Sequence, residues 1–171
     1  MKPKQYIALR NAISEFLGTA TLVYFTNFVY HSTTKNEISP GIYGLIFGLI
    51  LSLVIYFGST TSGGLYDPAI TINYLTFGKI GYSTALPYIF MQLLGSLAAS
   101  IIMYLQLGEA SGSNSAISKA TVINGAPLLN IESEYFLSAF VVEIIAVVIV
   151  HLVRLAVLVD NHGTKVFLFF N

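Results

Sequence analysis

Residues 58–79 read GSTTSGGLYDPAITINYLTFGK, and this stretch decides the fold. Its first half is rich in Gly, Ser and Thr, which is typical of a loop. Asp67 is a favoured N-cap and Pro68 suits the first helical position, so we predict a short helix that Gly78 ends. This helix, at about residues 67–77, is half as long as the roughly 20 residues that cross a bilayer.

Long apolar segments surround the short helix. The chain has 171 residues, of which 55% are hydrophobic and 9% charged, whereas globular domains are about a quarter charged. Its mean hydropathy is +0.75. Residues 16–34, 38–66 and 80–108 contain no Asp, Glu, Lys or Arg. We therefore expect an all-α membrane protein, with spanning helices at the following approximate positions: 12–31, 41–58, 83–107 and 135–159.

The short helix has two interpretations. A half-length apolar helix after a Gly-rich loop is typical of a re-entrant segment, which the membrane interior tolerates only beside protein or a water-filled cavity. The alternative is an amphipathic helix that lies on the membrane surface. The first interpretation predicts a pore or a buried site, and the second predicts neither.

The composition excludes several classes of function. Eight Lys and Arg balance eight Asp and Glu, so no net field attracts nucleic acid. The chain has no Cys, which removes thiolate metal sites and disulfides. It also lacks the second intramembrane Asp of an aspartyl dyad and the zinc and serine motifs of hydrolases. We expect no enzyme activity, no metal and no other cofactor.

The distribution of Lys and Arg predicts the orientation. If the N-terminus is cytoplasmic, two basic residues, Lys35 and Lys119, lie outside. Six then lie inside or at the inner boundary: Lys2, Lys4, Arg10, Lys79, Arg154 and Lys165. The positive-inside rule favours this orientation, which places the C-terminus inside and the loop at 108–134 outside.

At these residues the chain resembles the aquaporin family, also called the major intrinsic protein family. Ser62-Gly63 followed by Asp67-Pro68-Ala69-Ile70-Thr71 is similar to the family signature Ser-Gly-x-x-x-Asn-Pro-Ala-Val-Thr, with Asp in place of Asn. Further similarities follow in the expected order, over roughly residues 12–159: Glu15-Phe16-Leu17-Gly18-Thr19, then Tyr88 with Gln92 and Gly95, then Ala139-Phe140-Val141-Val142-Glu143.

The resemblance implies a fold and a domain organisation. The fold is an aquaporin-like helical bundle of four transmembrane helices and one re-entrant half-helix. Residues 1–107 would form the first repeat, 108–134 an external loop, and 135–171 the start of an incomplete second repeat with a short tail.

The resemblance also implies pore-lining residues. Asp67, Pro68 and Ala69 would lie at the pore, where the family's Asn caps the half-helix and donates hydrogen bonds to solute. An ionised Asp67 keeps the cap, loses the donor and weakens the exclusion of cations, whereas a protonated Asp67 keeps one donor. Phe47 occupies the position of an aromatic ring that narrows the outer constriction in water-selective relatives. The alternative for Phe47 is a ring that only packs.

Supporting residues form a second implied set. Glu15 would face the bundle and accept hydrogen bonds from backbone N–H groups of the re-entrant loop, because a charge near a helix centre needs such partners. Glu143 would do the same for a second loop, and Gln92 is assigned to loop support. The alternative for Glu15 is an interfacial residue that reaches the headgroups. Small residues allow close helix approach, so we predict packing roles for four glycines: Gly18, Gly44, Gly48 and Gly95.

Two functions remain open. The resemblance implies a channel for passive transport of water or a small neutral solute such as glycerol across a lipid bilayer, in a family that usually forms tetramers. The alternative is a non-conducting truncated homologue or a structural subunit of a membrane assembly. It arises because a counterpart of Asp67 in the second repeat is expected near residue 195, beyond residue 171. On that alternative, the chain alone gives no selective water flux.

Overall fold

The computed structural model describes residues 3–34, 37–110 and 136–159, and nearly all of them are helical. The helices, in chain order, are α1 (Pro3–Thr34), α2 (Pro40–Ser59), α3 (Pro68–Thr76), α4 (Tyr82–Ala110) and α5 (Phe136–Val159). The chain divides into one unit that contains α1 to α4 and another that contains α5. The all-α prediction and the short helix are confirmed. Most of the predicted external loop and the segment after α5 lie outside the described residues.

Two described helices are long and apolar enough to cross a membrane, namely α2 and residues Tyr82–Gln106 of α4. The helices α1 and α5 have 32 and 24 residues. At 1.5 Å per residue these lengths exceed the roughly 30 Å hydrocarbon core, so both are long enough to span it. That α1 and α5 cross the membrane stays a prediction.

The helix ends follow local chemistry. Ser39 caps α2 through its side-chain oxygen, which accepts from the backbone N–H of Ile42, and Pro40 takes the first position of the helix. The helix α1 begins at Pro3, well before the predicted residue 12. The prediction followed the apolar stretch alone, whereas Lys, Gln and Arg before it are good helix formers in water.

Gly95 allows α1 and α4 to pack with their backbones in contact. A Cβ added at Gly95 would lie 2.5 Å from the carbonyl oxygen of Phe16 and 3.2 Å from the backbone nitrogen of Ala20. The two helices run parallel, because Tyr24 of α1 also donates a hydrogen bond of 2.7 Å to Gln106, later in α4. The packing role predicted for Gly95 therefore has a direct structural basis.

The other predicted packing glycines divide into two groups. Gly18 is covered by the ring of Tyr66, so it too lies at a close contact. Gly44 and Gly48 do not, because no atom of the described residues lies within 4 Å of a Cβ built at either position. The packing role of this pair therefore stays a prediction, since no described residue covers the face of α2 that carries them.

Hydroxyl groups on the helices are satisfied by their own backbones. Thr21, Thr33, Ser52 and Ser100 each donate to the carbonyl oxygen four residues earlier, at 2.8 to 3.0 Å. Such bonds leave no free hydroxyl proton on a surface that faces hydrocarbon, where an unsatisfied polar group is costly. Many large apolar side chains of the described helices are also exposed, for example Leu45, Phe57 and Leu97. These exposed side chains and the internal hydrogen bonds both suit a lipid environment.

We predict that Gly95→Ala destabilises the protein by about 1–3 kcal/mol, because the new methyl group meets backbone atoms that cannot move aside. Gly48→Ala is the matched control, since its methyl group enters open space and alanine favours a helix. Thermal unfolding in detergent should show a lower melting temperature for Gly95→Ala only. Equal melting temperatures for both variants would contradict the close contact of α1 and α4.

Candidate functional site

The loop between α2 and α3 begins with a tight turn on one carbonyl group. The backbone N–H groups of Thr61, Ser62 and Gly63 all donate to the carbonyl oxygen of Gly58, at 3.0 to 3.1 Å. Gly63 and Gly64 then have φ angles of +96° and +64°, a region that glycine adopts without strain. The Gly-rich sequence of this loop therefore serves its backbone shape.

Glu15 supports this loop from α1. Its side chain is fully buried, and each carboxylate oxygen accepts two hydrogen bonds. Oε1 accepts from the hydroxyl of Ser62 at 2.5 Å and from the N–H of Leu65 at 3.2 Å. Oε2 accepts from the N–H of Tyr66 at 2.7 Å and from the side-chain amide of Gln92 at 2.8 Å. The expected loop hydrogen bonds are present, and the burial of Glu15 contradicts the interfacial alternative.

Gln92 connects Glu15 to the half-helix α3. Its amide nitrogen also donates to the hydroxyl of Thr71 at 2.9 Å, and that hydroxyl donates to the carbonyl oxygen of Asp67 at 2.8 Å. Gln92 and Thr71 are 1% and 0% exposed, so this chain of hydrogen bonds is closed to solvent. It links the buried carboxylate to the residue that begins α3.

Tyr66 is held in the loop by contacts of both its ring and its backbone. Its φ angle is +56°, which is unusual for a residue other than glycine. Its ring lies against Gly18 and Gly58, where any larger residue would overlap it. Its N–H donates to Glu15, and its carbonyl oxygen accepts from the hydroxyl of Thr19 at 3.1 Å. These contacts fix the backbone just before Asp67.

Asp67 caps α3 with one oxygen. Oδ1 accepts from the N–H of Ala69 at 2.6 Å and from the N–H of Ile70 at 3.4 Å. Pro68 occupies the first helical position, as predicted from the Asp-Pro pair. Asp67 and Pro68 are half-buried, whereas Ala69 is exposed.

The half-helix α3 and the loop residue Leu65 before it pack against α4. Leu65 and Ile70 form a small core with Tyr88, whose hydroxyl donates to the carbonyl oxygen of Ser62 at 3.2 Å. Glu15 lies about 18 Å along α1 and Gln92 about 15 Å along α4, so the loop is attached far from the start of either helix. This depth favours the re-entrant interpretation over a helix on the membrane surface.

Phe47, another predicted site residue, is not brought into this cluster. Phe47 is 37% exposed and stacks on Tyr43 one turn earlier in α2, with ring centroids 6.5 Å apart. Glu143 belongs to α5, but its side chain lies outside the described residues.

Sequence reasoning assigned no role to three residues of the site. Thr19, Tyr66 and Thr71 each make a contact that ties the loop or the half-helix to the bundle. In the sequence, the only sign of a role for Thr19 and Thr71 is that they belong to the two motifs that begin at Glu15 and at Ser62. For Tyr66 the available signal was a pair of glycines, Gly18 and Gly58, which leave room for its ring.

Comparison with known protein families matches residues 2–167 to the family described as Major intrinsic protein. The chain belongs to the major intrinsic protein family. Its members are channels and not enzymes, and the chain is accordingly an integral membrane protein with an aquaporin-like helical fold. The half-helix, its cap and the supporting Glu15 are thus features of a member of this family.

Curated relatives include aquaporins and glycerol uptake facilitator proteins. Aquaporin Z of Photorhabdus laumondii is 33% identical over 57% of this chain and 43% of its own length. The glycerol uptake facilitator protein of Buchnera aphidicola is 26% identical over 94% of this chain and 64% of its own length. Nodulin-26 of Glycine max is 30% identical over 80% of this chain and 50% of its own length. No solved structure gives a significant match.

The chain spans between about a third and two thirds of the length of the curated relatives that it matches first. An activity of those whole proteins is therefore only proposed for this chain.

We predict that Glu15→Leu lowers the folding yield strongly, because four donors then lose their acceptor and an orphaned backbone N–H in a membrane costs several kcal/mol. Glu15→Gln should be milder, since its carbonyl oxygen still accepts. Glu37→Gln, on an exposed residue before α2, is the control for loss of one charge. Yield and melting temperature in detergent measure the effect, and wild-type behaviour of Glu15→Leu would contradict the supporting role.

Proposed function

We propose that the chain contributes to a membrane channel for passive transport of water or small neutral solutes such as glycerol. The observation that carries the proposal is the half-helix α3, too short to span a bilayer and held inside the bundle by the buried carboxylate of Glu15. Irregular backbone at such depth is tolerated where it lines a cavity or a pore.

In this proposal Asp67, Pro68 and Ala69 lie at the solute path, and Phe47 narrows its outer end. The support is their surface position, since Ala69 and Phe47 are exposed and the other two are half-buried. Glu15 and Gln92 act indirectly by fixing the loop, and Glu143 is proposed to do so for a second loop. Because members of the family usually form tetramers, we propose a tetramer with one pore in each subunit.

The alternative of a non-conducting or purely structural protein is not favoured. It rests on where the chain ends, and no contact among the described residues supports it. The relatives named above include an aquaporin and a glycerol uptake facilitator.

We predict that the purified chain in proteoliposomes gives faster osmotic water or glycerol flux than protein-free vesicles, with a low temperature dependence. Ala69→Trp should reduce this flux because a large ring enters the proposed solute path. Leu97→Trp is the matched control, since Leu97 is 57% exposed on α4 and away from the loop. Stopped-flow light scattering measures the rates. Flux at the level of protein-free vesicles, despite folded protein, would contradict the proposal.

We further propose that the N-terminus and the loop at residues 60–80 face the cytoplasm, on the basis of the Lys and Arg distribution. The absence of Cys in the chain allows single cysteines to report the orientation. A membrane-impermeant maleimide added to intact cells should label Glu37→Cys, whereas Thr60→Cys should react only after permeabilisation. The opposite pattern would show the inverted orientation.

A further inference from the structure

Asp67 has one carboxylate oxygen that the fold does not use. Both cap hydrogen bonds end on Oδ1, and Oδ2 accepts none within the part of the chain that the structure describes. An ionised carboxylate offers about four acceptor sites on its two oxygens. Because Asp67 is half-buried, the unused oxygen is not sealed in the protein core.

In its ionised form this carboxylate also has no basic partner among the described residues. Asp67 forms no ion pair with a basic residue of the described segments. The nearest positive field is the N-terminus of α3, which is equivalent to roughly half an elementary charge. The full negative charge of an ionised Asp67 would exceed it and make the net field at this position negative. An uncharged amide in the same cap would leave the positive helix field in place.

The position of the unused oxygen is fixed from both sides. Before Asp67, the backbone of Tyr66 is bonded to Glu15 and Thr19. After it, the hydroxyl of Thr71 donates to the carbonyl oxygen of Asp67 and is itself held by Gln92. A group held in this way does not need to reorganise to meet a passing solute, which makes its electrostatic effect stronger.

We propose that Asp67 is a specificity-determining residue that lets small monovalent cations of the ammonium class use the path of the neutral solutes. An ammonium ion carries the opposite charge and N–H donors that an acceptor-only oxygen can bind. Neutral hydroxyl donors remain acceptable to the same oxygen. The inference rests on the proposed channel function, because it needs a solute path beside Asp67.

The test uses the full chain in proteoliposomes with an inside-negative potential, and measures uptake of radiolabelled methylammonium together with glycerol flux. A response to the potential distinguishes the cation from neutral methylamine. Asp67→Asn and Asp67→Ser both keep a side chain that can cap α3 and both remove the charge. Glu37→Gln removes a charge from an exposed position before α2.

Wild type and Glu37→Gln should take up methylammonium faster as the potential grows. In Asp67→Asn and Asp67→Ser the ratio of methylammonium to glycerol permeability should fall by at least about tenfold, because a unit charge at contact distance from a cation is lost. Glycerol flux without potential-driven uptake, or an unchanged ratio in both variants, overturns the inference and leaves the channel intact. Absence of water, glycerol and methylammonium flux overturns the proposed function and the inference together.

Discussion

The carboxylate of Glu15 and the loop around it stabilise each other inside the helical bundle of this membrane protein. A charged residue at the centre of a transmembrane helix costs about 2.5–3.5 kcal/mol, and each unsatisfied backbone N–H in hydrocarbon costs several. Neither the buried charge nor the unpaired N–H groups would be tolerated in the membrane interior without the other. Four donors on two oxygens satisfy the carboxylate, and two of those donors are backbone N–H groups that the irregular loop cannot pair with itself.

The hydrogen bonds of Glu15 depend in turn on glycine. Phe16, the next residue along α1, has its carbonyl oxygen against Gly95, so Glu15 and Gln92 meet beside a close contact of the two helices. A side chain at Gly95 would separate α1 from α4 and lengthen that bond. Gly18 and Gly58 likewise allow a close contact with Tyr66, whose ring fills the space that the two glycines leave. Small residues and a buried charge therefore form one interdependent unit.

The sequence predicted much of this unit because its chemistry is local. Asp67, Pro68 and Gly78 fix a short helix through capping rules that need no tertiary information. The charge of Glu15 in an apolar segment favoured a buried acceptor role, with an interfacial position as the alternative. The extent of α1 was underestimated because its first turns lie outside the apolar pattern.

The tertiary details could not be predicted in the same way. Gly44 and Gly48 have the spacing of a packing motif, but spacing alone does not say whether a neighbour covers that face. The positive φ of Tyr66 and the contact of Thr71 with Gln92 arise from three segments far apart in the chain. Such contacts depend on how the helices meet and not on any local pattern.

The distribution of satisfied and open polar groups distinguishes the supporting residues from Asp67, the residue proposed to meet the solute. Glu15, Thr71 and Gln92 are buried and fully engaged, and the described segments contain one buried side-chain polar atom without a partner, Nδ2 of Asn27. Asp67 differs because it is half-buried and uses only one of its two oxygens. A solute path must bind strongly enough to replace hydration and weakly enough to release the solute. One open oxygen on a rigid backbone meets that requirement better than a cluster of free acceptors, which would retain the solute.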